Sequence, residues 1–247
     1  MKLLIDIGNT RLKWAFADRE DVPEAAAVLH EGEPARILAQ LPAHPVDSVW
    51  IAQVTGAQHE AALDAAVRLR YGCSTHYARS TARWRELQSG YAEPERLGVD
   101  RWLVMIAAWA RYRSAFCVVD AGTALTADAV DDRGQHLGGF IAAGLQTQQH
   151  ATLGATRFAT RDSVPRYDAG LGRDTEACVR QGAMLACLGA IDRAGGQAGA
   201  QAVRLMTGGD ARLLLPYLSA GWQHRPNLVL EGLLALAADR SSAVTDR

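Results

Sequence analysis

The hydrophobic pattern at the start of the chain predicts a strand, a tight turn and a second strand. Residues 3–5 are apolar and lead to Asp6, and a turn over residues 7–10 follows. After the turn, apolar side chains recur at positions 12, 14 and 16, as in a strand with one buried face. Gly8 suits a backbone that bends sharply or approaches a ligand closely. The turn could surround a phosphate group, and Asp6 could bind the metal ion that accompanies the phosphate. The alternative is a hairpin in which Asp6 and Asn9 only shape the turn.

A second copy of this pattern begins at Phe116, where the sequence is FCVVDAGTALTADAVDD. The matching pairs, each 114 positions apart, are Asp6 with Asp120, Gly8 with Gly122, and Asp18 with Asp132. This offset is nearly half of the chain, and internal self-similarity at that scale indicates two related halves. Two such hairpins could face one nucleotide from opposite sides of a cleft. Chance similarity of two short hairpins is the alternative.

The remaining segments alternate between strand and helix patterns. Further predicted strands cover residues 26–29, 46–54, 74–78, 136–143 and 202–206. Predicted helices cover residues 35–41, 57–69, 100–113, 145–153, 175–194, 211–218 and 227–238. This alternation predicts an α/β fold with helices packed on sheets. We expect two domains, residues 1–113 and 114–247, and a frayed polar tail from residue 239.

Composition and charge are those of an ordinary globular protein. Hydrophobic residues make up 49% and charged residues 21% of the 247 positions, and the net charge of −1 gives no support for nucleic-acid binding. We find neither a signal-peptide pattern nor an apolar run of the ~18 residues that cross a bilayer. Four cysteines without paired C-x-x-C spacing are expected to be reduced: Cys73, Cys117, Cys178 and Cys187. We therefore expect a cytoplasmic protein with no nucleic-acid or membrane partner.

The segment YAEPERLGVDRW, residues 91–102, places Asp100 and Arg101 at the start of a predicted helix. A carboxylate is favoured there by the exposed amide groups and the helix dipole, so a plain helix cap is the alternative to a catalytic role for Asp100. Arg101 is the less usual residue, because a cation is disfavoured at a helix N-terminus. We expect Arg101 to grip the carboxylate of a small substrate and to keep Asp100 ionised, as a general base must be.

Two features of the second half have both a structural and a functional interpretation. A loop rich in Arg, Asp, Thr and Gly spans residues 155–173 and leads to Thr175, which either begins the following helix as a cap or contacts a ligand. The sequence TGGDA, residues 207–211, puts a glycine pair between a strand and a helix. Such a pair is a weak sign of nucleotide approach.

Together these motifs strongly resemble those of the type III pantothenate kinases, a family in the superfamily of actin, the Hsp70-type chaperones and the sugar and acetate kinases. The matching motifs, in family order, are DIGNTRLKW (6–14), YAEPERLGVDRW (91–102), DAGTALTAD (120–128), GRDT (172–175) and TGGDA (207–211). The resemblance implies two related ribonuclease-H-like (actin-like ATPase) domains, each a mixed β-sheet flanked by helices, with a nucleotide cleft between them. The second domain would carry TGGDA as its adenosine-side motif.

The resemblance also implies the reaction: ATP-dependent phosphorylation of pantothenate to 4'-phosphopantothenate, the first step of coenzyme A biosynthesis. Asp100 would be the catalytic base. The implied substrate-binding residues are Tyr91, Gly98, Val99, Asp100, Arg101 and Thr175. The implied ATP-binding residues are Asp6, Ile7, Gly8, Asn9, Thr10, Arg11, Leu12, Lys13 and Thr123. Asp6 would bind Mg²⁺ with ATP, Asp120 would bind K⁺ or NH₄⁺, and a homodimer would share each site, with Thr175 coming from the neighbouring subunit.

Two other classes of function fit parts of this pattern. Another small-molecule kinase of the superfamily, or a phosphatase acting on polyphosphate, would keep the phosphate turns, but the Tyr91–Arg101 motif argues against it. A nucleotide-binding regulator without catalysis would keep the turns and would not need Asp100. The sequence shows no helix-turn-helix or basic region for a DNA-binding regulator.

Overall fold

The computed structural model describes residues 1–18, 21–23, 25–158 and 167–245, so part of the predicted loop 155–173 lies outside the described residues. The chain divides into two compact units. The first contains the described residues of Met1–Arg111 and Asn227–Arg247, and the second is Tyr112–Pro226. The predicted division near residue 113 is close to this boundary, but the closing helix belongs to the first unit, where it packs on the sheet.

The strands and helices are numbered in chain order. The strands are β1 (Lys2–Ile7), β2 (Arg11–Ala17), β3 (Ala26–Leu29), β4 (Ser48–Gln53), β5 (Ser74–Tyr77), β6 (Arg83–Trp84), β7 (Leu87–Gln88), β8 (Phe116–Ala121), β9 (Ala124–Val130), β10 (His136–Ala143), β11 (Val203–Thr207) and β12 (Trp222–His224). The α-helices are α1 (Pro34–Leu38), α2 (Glu60–Tyr71), α3 (Val99–Tyr112), α4 (Leu145–Ala155), α5 (Thr175–Gly195), α6 (Ala211–Leu214) and α7 (Leu228–Thr245). Single 3₁₀ turns lie at Ala57–His59, Pro94–Arg96 and Leu215–Tyr217.

The two units contain sheets of the same topology. The strand order is β3-β2-β1-β4-β5 in the first unit and β10-β9-β8-β11-β12 in the second. In each, the first three strands are antiparallel and the last three are parallel. Five strands with the same order and directions confirm the prediction of two related α/β halves.

The second hairpin turn is one residue shorter than the first. The antiparallel ladders pair Lys2 with Ala17 in the first unit and Phe116 with Val130 in the second. Equivalent residues are therefore 114 positions apart in β1 and β8 but 113 apart in β2 and β9. Asp18 corresponds to Asp131, and its predicted match with Asp132 is wrong because the shorter turn shifts the register by one residue.

The first unit buries both faces of its sheet. Alternate residues of β1, among them Leu3 and Ile5, pack in a core cluster with α1 and α2. Helix α7 covers β1, β2 and β4. It also lies against α3, because a Cβ added to Gly232 would be 2.2 Å from the carbonyl oxygen of Leu103. Close backbone packing at a glycine therefore fixes α7 on the first unit.

The core of the second unit lies between its sheet and the helices α4, α5 and α6. Cys117, Val119 and Ala121 of β8 face this cluster, and Met184, Cys187 and Ile191 of α5 pack into it. Burial raises the pKa of the Cys117 thiol to about 12. The cysteines that the structure describes are all free thiols, as the sequence predicts.

Three features differ from the predicted elements. The tail does not fray at residue 239, because α7 continues to Thr245 and Asp239 forms an ion pair with Arg85. The hairpin of β6 and β7, and strand β12, are additional elements, and each strand is too short to show a period of two. None of the described helices is both long and apolar enough to cross a bilayer.

Candidate functional site

The first predicted phosphate turn follows β1. The Gly8 N–H donates to the Arg11 carbonyl at 3.0 Å, and this bond closes the turn over the exposed residues Asn9 and Thr10. The backbone of Gly8 is not in the left-handed region, and an added Cβ would meet nothing closer than the Arg11 oxygen at 3.6 Å. Neither a positive φ nor a close contact therefore requires a glycine here, and the approach of a ligand to Gly8 stays a prediction.

The residues around this turn divide into buried and accessible sets. Ile7 and Leu12 are fully buried in the core cluster, so their side chains are unavailable to a ligand. Asp6 and Lys13 are half-buried and pair directly across β1 and β2. Arg11 is exposed. A carboxylate and an ammonium group thus lie side by side at one end of the hairpin.

A histidine outside the sequence motifs also contacts this turn. His30, at the end of β3, is 2% exposed, and its Nε2 lies 2.8 Å from the Gly8 carbonyl oxygen. Sequence reasoning missed it because 22 positions separate the two residues and His30 matches no motif. Its only sequence signal is the following Glu31-Gly32, which is typical of a turn.

The second predicted phosphate turn follows β8 and is braced from α4. The Gly122 N–H donates to the Ala124 carbonyl at 3.0 Å. The Thr123 carbonyl accepts two hydrogen bonds, one from the Gly144 N–H at 3.0 Å and one from the Thr147 hydroxyl at 2.7 Å. The Thr123 residue itself is exposed, so its side chain is accessible to a ligand.

Two glycines allow other backbone segments to approach this second turn. A Cβ on Gly144 would lie 1.9 Å from the Gly122 carbonyl oxygen. Gly208, the first glycine of the TGGDA motif, has a φ of 95°, and its Cβ would lie 2.3 Å from the Ala121 oxygen and 2.5 Å from Asp120 Oδ1. Gly208 therefore packs against the end of β8 and places its backbone beside the Asp120 carboxylate.

Asp100 of the YAEPERLGVDRW motif lies in the first turn of α3, as predicted. The helix begins at Val99, and the Trp102 N–H donates to the Gly98 carbonyl at 3.0 Å. Asp100 Oδ1 accepts a hydrogen bond from the Arg101 N–H at 2.8 Å. A Cβ on Gly98 would lie 2.6 Å from that oxygen, so the glycine leaves room for the carboxylate.

Arg101 is more buried than we would expect of a residue that binds substrate at the protein surface. Its exposure is 4%, and its Nη1 donates to the Tyr91 hydroxyl at 2.8 Å, with the guanidinium 5.7 Å from the centre of that ring. Arg101 therefore holds Tyr91 in place, and its contact with a substrate carboxylate stays a prediction. A small cavity of about 300 Å³ lies beside Tyr91 and is lined by Tyr91, Ala92, Glu93 and Arg96.

Thr175 is the first residue of α5 and lines an open groove. The N-cap is Asp174, whose side chain accepts from the Ala177 N–H at 2.7 Å, so Thr175 is not the cap. Gly172 packs on this turn, since its Cβ would lie 2.3 Å from the Cys178 nitrogen. The groove has a volume of about 850 Å³ and is lined by Gln148, Thr152, Phe158, Gly172, Arg173, Asp174, Thr175, Cys178, Val179, Gly182 and Ala183.

The predicted site residues are thus divided between the two units. The first unit holds the first phosphate turn and the segment from Tyr91 to Arg101. The second unit holds the second turn, TGGDA and Thr175. Among the residues that the structure describes, no cluster of three or more His, Cys, Asp or Glu side chains could by itself bind a metal ion.

The strand order and the paired turns define a class of protein, the actin-like ATPase and sugar kinase fold. Solved structures with this fold include an activator of 2-hydroxyisocaproyl-CoA dehydratase from Clostridium difficile with bound ADPNP (TM-score 0.56, 12% identity, 99% of this chain and 97% of that chain). Another is a conserved Campylobacter jejuni protein assigned to the Baf family of transcriptional activators (TM-score 0.64, 18% identity, 97% and 99%). At these identities the similarity shows the fold alone.

Sequence comparison gives the family. The family model of type III pantothenate kinase matches residues 2–196. A type III pantothenate kinase of Alcanivorax borkumensis is 34% identical over 96% of this chain and 99% of its own length. One from Chromobacterium violaceum is 36% identical over 96% and 99%. The chain belongs to the type III pantothenate kinase family.

Proposed function

We propose that this chain phosphorylates the primary hydroxyl of pantothenate with ATP and forms 4'-phosphopantothenate in the first step of coenzyme A biosynthesis. The observation that carries the proposal is the family match over residues 2–196, which includes both phosphate turns and the segment from Tyr91 to Arg101. The proposed place of action is the cytoplasm.

ATP binds through the two hairpin turns in this proposal. Backbone N–H groups of Asn9 to Arg11 and the side chains of Asn9 and Thr10 surround phosphate oxygens, and Thr123 contacts phosphate from the second turn. Lys13 lies opposite Asp6 in the ladder, and its ammonium group stabilises phosphate charge. Ile7 and Leu12, whose side chains are buried, contribute only backbone atoms.

A kinase of this family uses ATP with a divalent metal ion. Asp6 fits a magnesium ion bound to phosphate, because its half-buried carboxylate lies near the end of β1, two residues before Gly8 at the start of the phosphate turn. Such an ion, when bound, neutralises charge on the phosphates.

Asp100 is the proposed general base. Phosphoryl transfer needs mainly alignment and charge stabilisation, and the base removes the proton when the hydroxyl oxygen bonds to phosphorus. The Asp100 carboxylate has the Arg101 N–H as a fixed donor and the space left by Gly98, so its orientation is set before substrate arrives. Accepting the hydroxyl proton converts it to the neutral acid, which returns the proton to water after the reaction.

The pantothenate site is proposed to lie around Tyr91 and the first turn of α3. Gly98 and Val99 offer backbone to the substrate, and the Tyr91 hydroxyl is oriented by the Arg101 guanidinium at 2.8 Å. A guanidinium has five N–H donors, and we propose that Arg101, whose Nη1 binds Tyr91, also binds the substrate carboxylate. Arg101 therefore acts both directly on the carboxylate and through Tyr91.

Asp120 is the proposed ligand of a monovalent cation, K⁺ or NH₄⁺. Its carboxylate lies against the backbone of Gly208 at the end of β8. Carboxylate and carbonyl oxygens are the ligand type that K⁺ takes in proteins. In the first hairpin the residue opposite the aspartate is Lys13, whereas in the second it is the neutral Thr126. The residue opposite the second aspartate is therefore neutral, unlike Lys13 in the first hairpin.

We also propose a homodimer in which Thr175 completes the pantothenate site of the neighbouring subunit. The second unit exposes apolar side chains on its edge strand β10, where Leu137 is 54% and Ile141 is 65% exposed. Leu185 of α5 is 43% exposed, and Thr175 lines the groove along the same helix. Exposed apolar areas of this kind mark protein interfaces. A second copy of the chain is the proposed partner of this surface.

The first experiment is a coupled ATP-consumption assay with pantothenate and Mg²⁺, run once in K⁺ buffer and once in Na⁺ buffer. We expect turnover that requires pantothenate and is faster in K⁺, and the K⁺ response should disappear in Asp120→Ala. Turnover of equal rate in both buffers would keep the kinase and remove the cation proposal. Folded protein that consumes no ATP with pantothenate in either buffer would overturn the proposed reaction.

A further inference from the structure

His30 has all of its polar groups engaged around the first phosphate turn. Its backbone N–H donates to the Thr10 carbonyl at 3.2 Å, and its backbone carbonyl accepts from the Glu33 N–H at 2.7 Å. Its ring Nδ1 accepts from the Gly32 N–H at 3.2 Å. The other ring nitrogen, Nε2, lies 2.8 Å from the Gly8 carbonyl oxygen, and the residue is 2% exposed. Two hydrogen bonds of the ring and two of the backbone therefore fix His30 between two turns.

These bonds determine which ring nitrogen carries the proton. The Gly32 amide is a donor, so Nδ1 accepts and the proton of the neutral ring lies on Nε2. The Gly8 carbonyl is an acceptor, so Nε2–H donates to it. The turn from His30 to Glu33 has positive φ at both central residues, 49° at Glu31 and 82° at Gly32. This turn aims the Gly32 N–H at the ring and so selects the tautomer that can bind Gly8.

The bond to Gly8 controls the direction of the next amide group. The Gly8 carbonyl and the Asn9 N–H belong to one planar trans peptide and point in opposite directions. Holding the carbonyl towards His30 makes the Asn9 N–H point away from it. The backbone N–H groups of such a turn are its phosphate-binding groups.

We propose that His30 is a positioning residue of the first phosphate turn, which it preorganises for ATP by fixing the peptide between Gly8 and Asn9. This inference rests on the proposed function, in which that turn binds ATP phosphates. His30 acts through the backbone of Gly8 and does not itself touch the nucleotide. Its loss weakens ATP binding because the free turn must then order its amide groups when the phosphates arrive.

The second phosphate turn has a brace of the same kind from a different residue. There the Thr123 carbonyl is held by the Thr147 hydroxyl at 2.7 Å. Both turns thus have a backbone carbonyl bound by a side chain from outside the motif. A shared requirement for a fixed peptide direction explains why unrelated residue types fill this role in the two halves.

The test compares two substitutions of His30, each of which keeps one of the two hydrogen bonds made by the ring. His30→Asn retains an oxygen that can accept from Gly32 but is too short to reach Gly8, whereas His30→Gln retains an N–H donor that can reach Gly8. We expect His30→Asn to raise the KM for ATP by about 3- to 10-fold, the effect of about one hydrogen bond, and to leave the KM for pantothenate within about twofold. His30→Gln should restore most of the loss. His76→Ala, in the same sheet, is the matched control for removing a histidine.

Melting temperatures and calorimetric ATP titrations separate the possible outcomes. A His30→Asn protein with wild-type ATP affinity would overturn the inference, and so would a His30→Gln protein as impaired as His30→Asn at the same melting temperature. An equal rise in both KM values would indicate a general structural role and also overturn it. If wild type binds ATP without turning over pantothenate, the proposed reaction fails, and the ATP titrations of the two variants still decide the role of His30.

Discussion

Asp6 and Lys13 lie directly opposite each other on neighbouring antiparallel strands, at the end of the hairpin that carries the first phosphate turn. Directly opposed side chains of this kind have Cβ atoms only ~5 Å apart and interact. The equivalent position opposite Asp120 is occupied by Thr126. The two halves of the fold therefore differ in charge at the same structural position, and only the first has a lysine there.

Lys13 is predicted to contribute mainly to ATP binding. Lys13→Ala should lower kcat/KM for ATP by about 10- to 100-fold, because a charged hydrogen bond to phosphate contributes about 1.5–3 kcal/mol. Lys13→Arg should retain much of the activity, and Thr126→Val should change it far less than Lys13→Ala. Steady-state kinetics with varied ATP at saturating pantothenate measure these values. If substitution of Asp6 lowers activity but Lys13→Ala leaves kcat/KM for ATP unchanged, the lysine is only a cross-strand partner of Asp6.

Asp100→Asn tests the general base with almost no change of shape. We expect kcat to fall by about 10²- to 10⁴-fold, since the amide cannot accept the hydroxyl proton, while the dissociation constant for ATP stays the same. Glu95→Gln, a change of an exposed carboxylate in the same segment, should leave kcat near wild type. Equal losses of turnover and ATP affinity would contradict the assignment of Asp100 as the base.

Two glycine substitutions should separate ligand approach from packing. Gly8→Ala adds a Cβ that meets only an ordinary contact at 3.6 Å, so its melting temperature should match wild type while its KM for ATP rises by about tenfold or more. Gly208→Ala adds a Cβ 2.3 Å from the Ala121 oxygen at a φ of 95°, so it should unfold more easily, by about 1–3 kcal/mol. Thermal unfolding and ATP titration of both proteins provide the comparison. A destabilised Gly8→Ala would mean that the turn itself needs glycine.

Gly232→Ala tests the packing of α7 on α3 in the first unit. Alanine normally favours a helix over glycine by about 1 kcal/mol, but here the added Cβ would lie 2.2 Å from the Leu103 oxygen. We therefore expect destabilisation of about 1–3 kcal/mol in urea unfolding. Gly154→Ala in α4, with nothing within 4 Å of the Cβ, is the control and should be neutral or slightly stabilising. A stabilised Gly232→Ala protein would show that α3 and α7 separate easily.

The elements that sequence could predict are those specified by local pattern. The two hairpins have alternating apolar residues and a turn glycine, and helix α3 has Asp100 in its first turn, so their positions agree with the predicted ones within about two residues. The repeated spacing of Asp6 and Asp120 also predicts the duplicated topology. The hairpin and helix signals each lie within a short continuous stretch of sequence, and the repeat is found by comparing two such stretches.

Features that depend on contacts between distant residues could not be predicted in the same way. The His30 bond to Gly8, the Thr147 bond to Thr123 and the place of α7 in the first unit connect segments far apart in sequence. Apolar periodicity shows that α7 is buried but not which sheet it covers. From the sequence, Gly208 is interpreted as a glycine that lets a nucleotide approach the backbone. Its position beside Asp120 and Ala121 is evident only from the folded structure.

A shared active site predicts complementation between two inactive proteins. If Asp100 of one subunit works with Thr175 of its partner, then Asp100→Asn and Thr175→Glu, which repels the pantothenate carboxylate, should each be nearly inactive alone. Mixed and allowed to exchange subunits, they should recover about one quarter of wild-type activity, because about half of the dimers are mixed and each has one intact site. Leu185→Asp in both proteins, which places a charge on the proposed interface, should prevent the recovery. Mass measurement can show whether mixed dimers have formed. If they have formed and activity does not recover, Thr175 and Asp100 do not belong to one shared site.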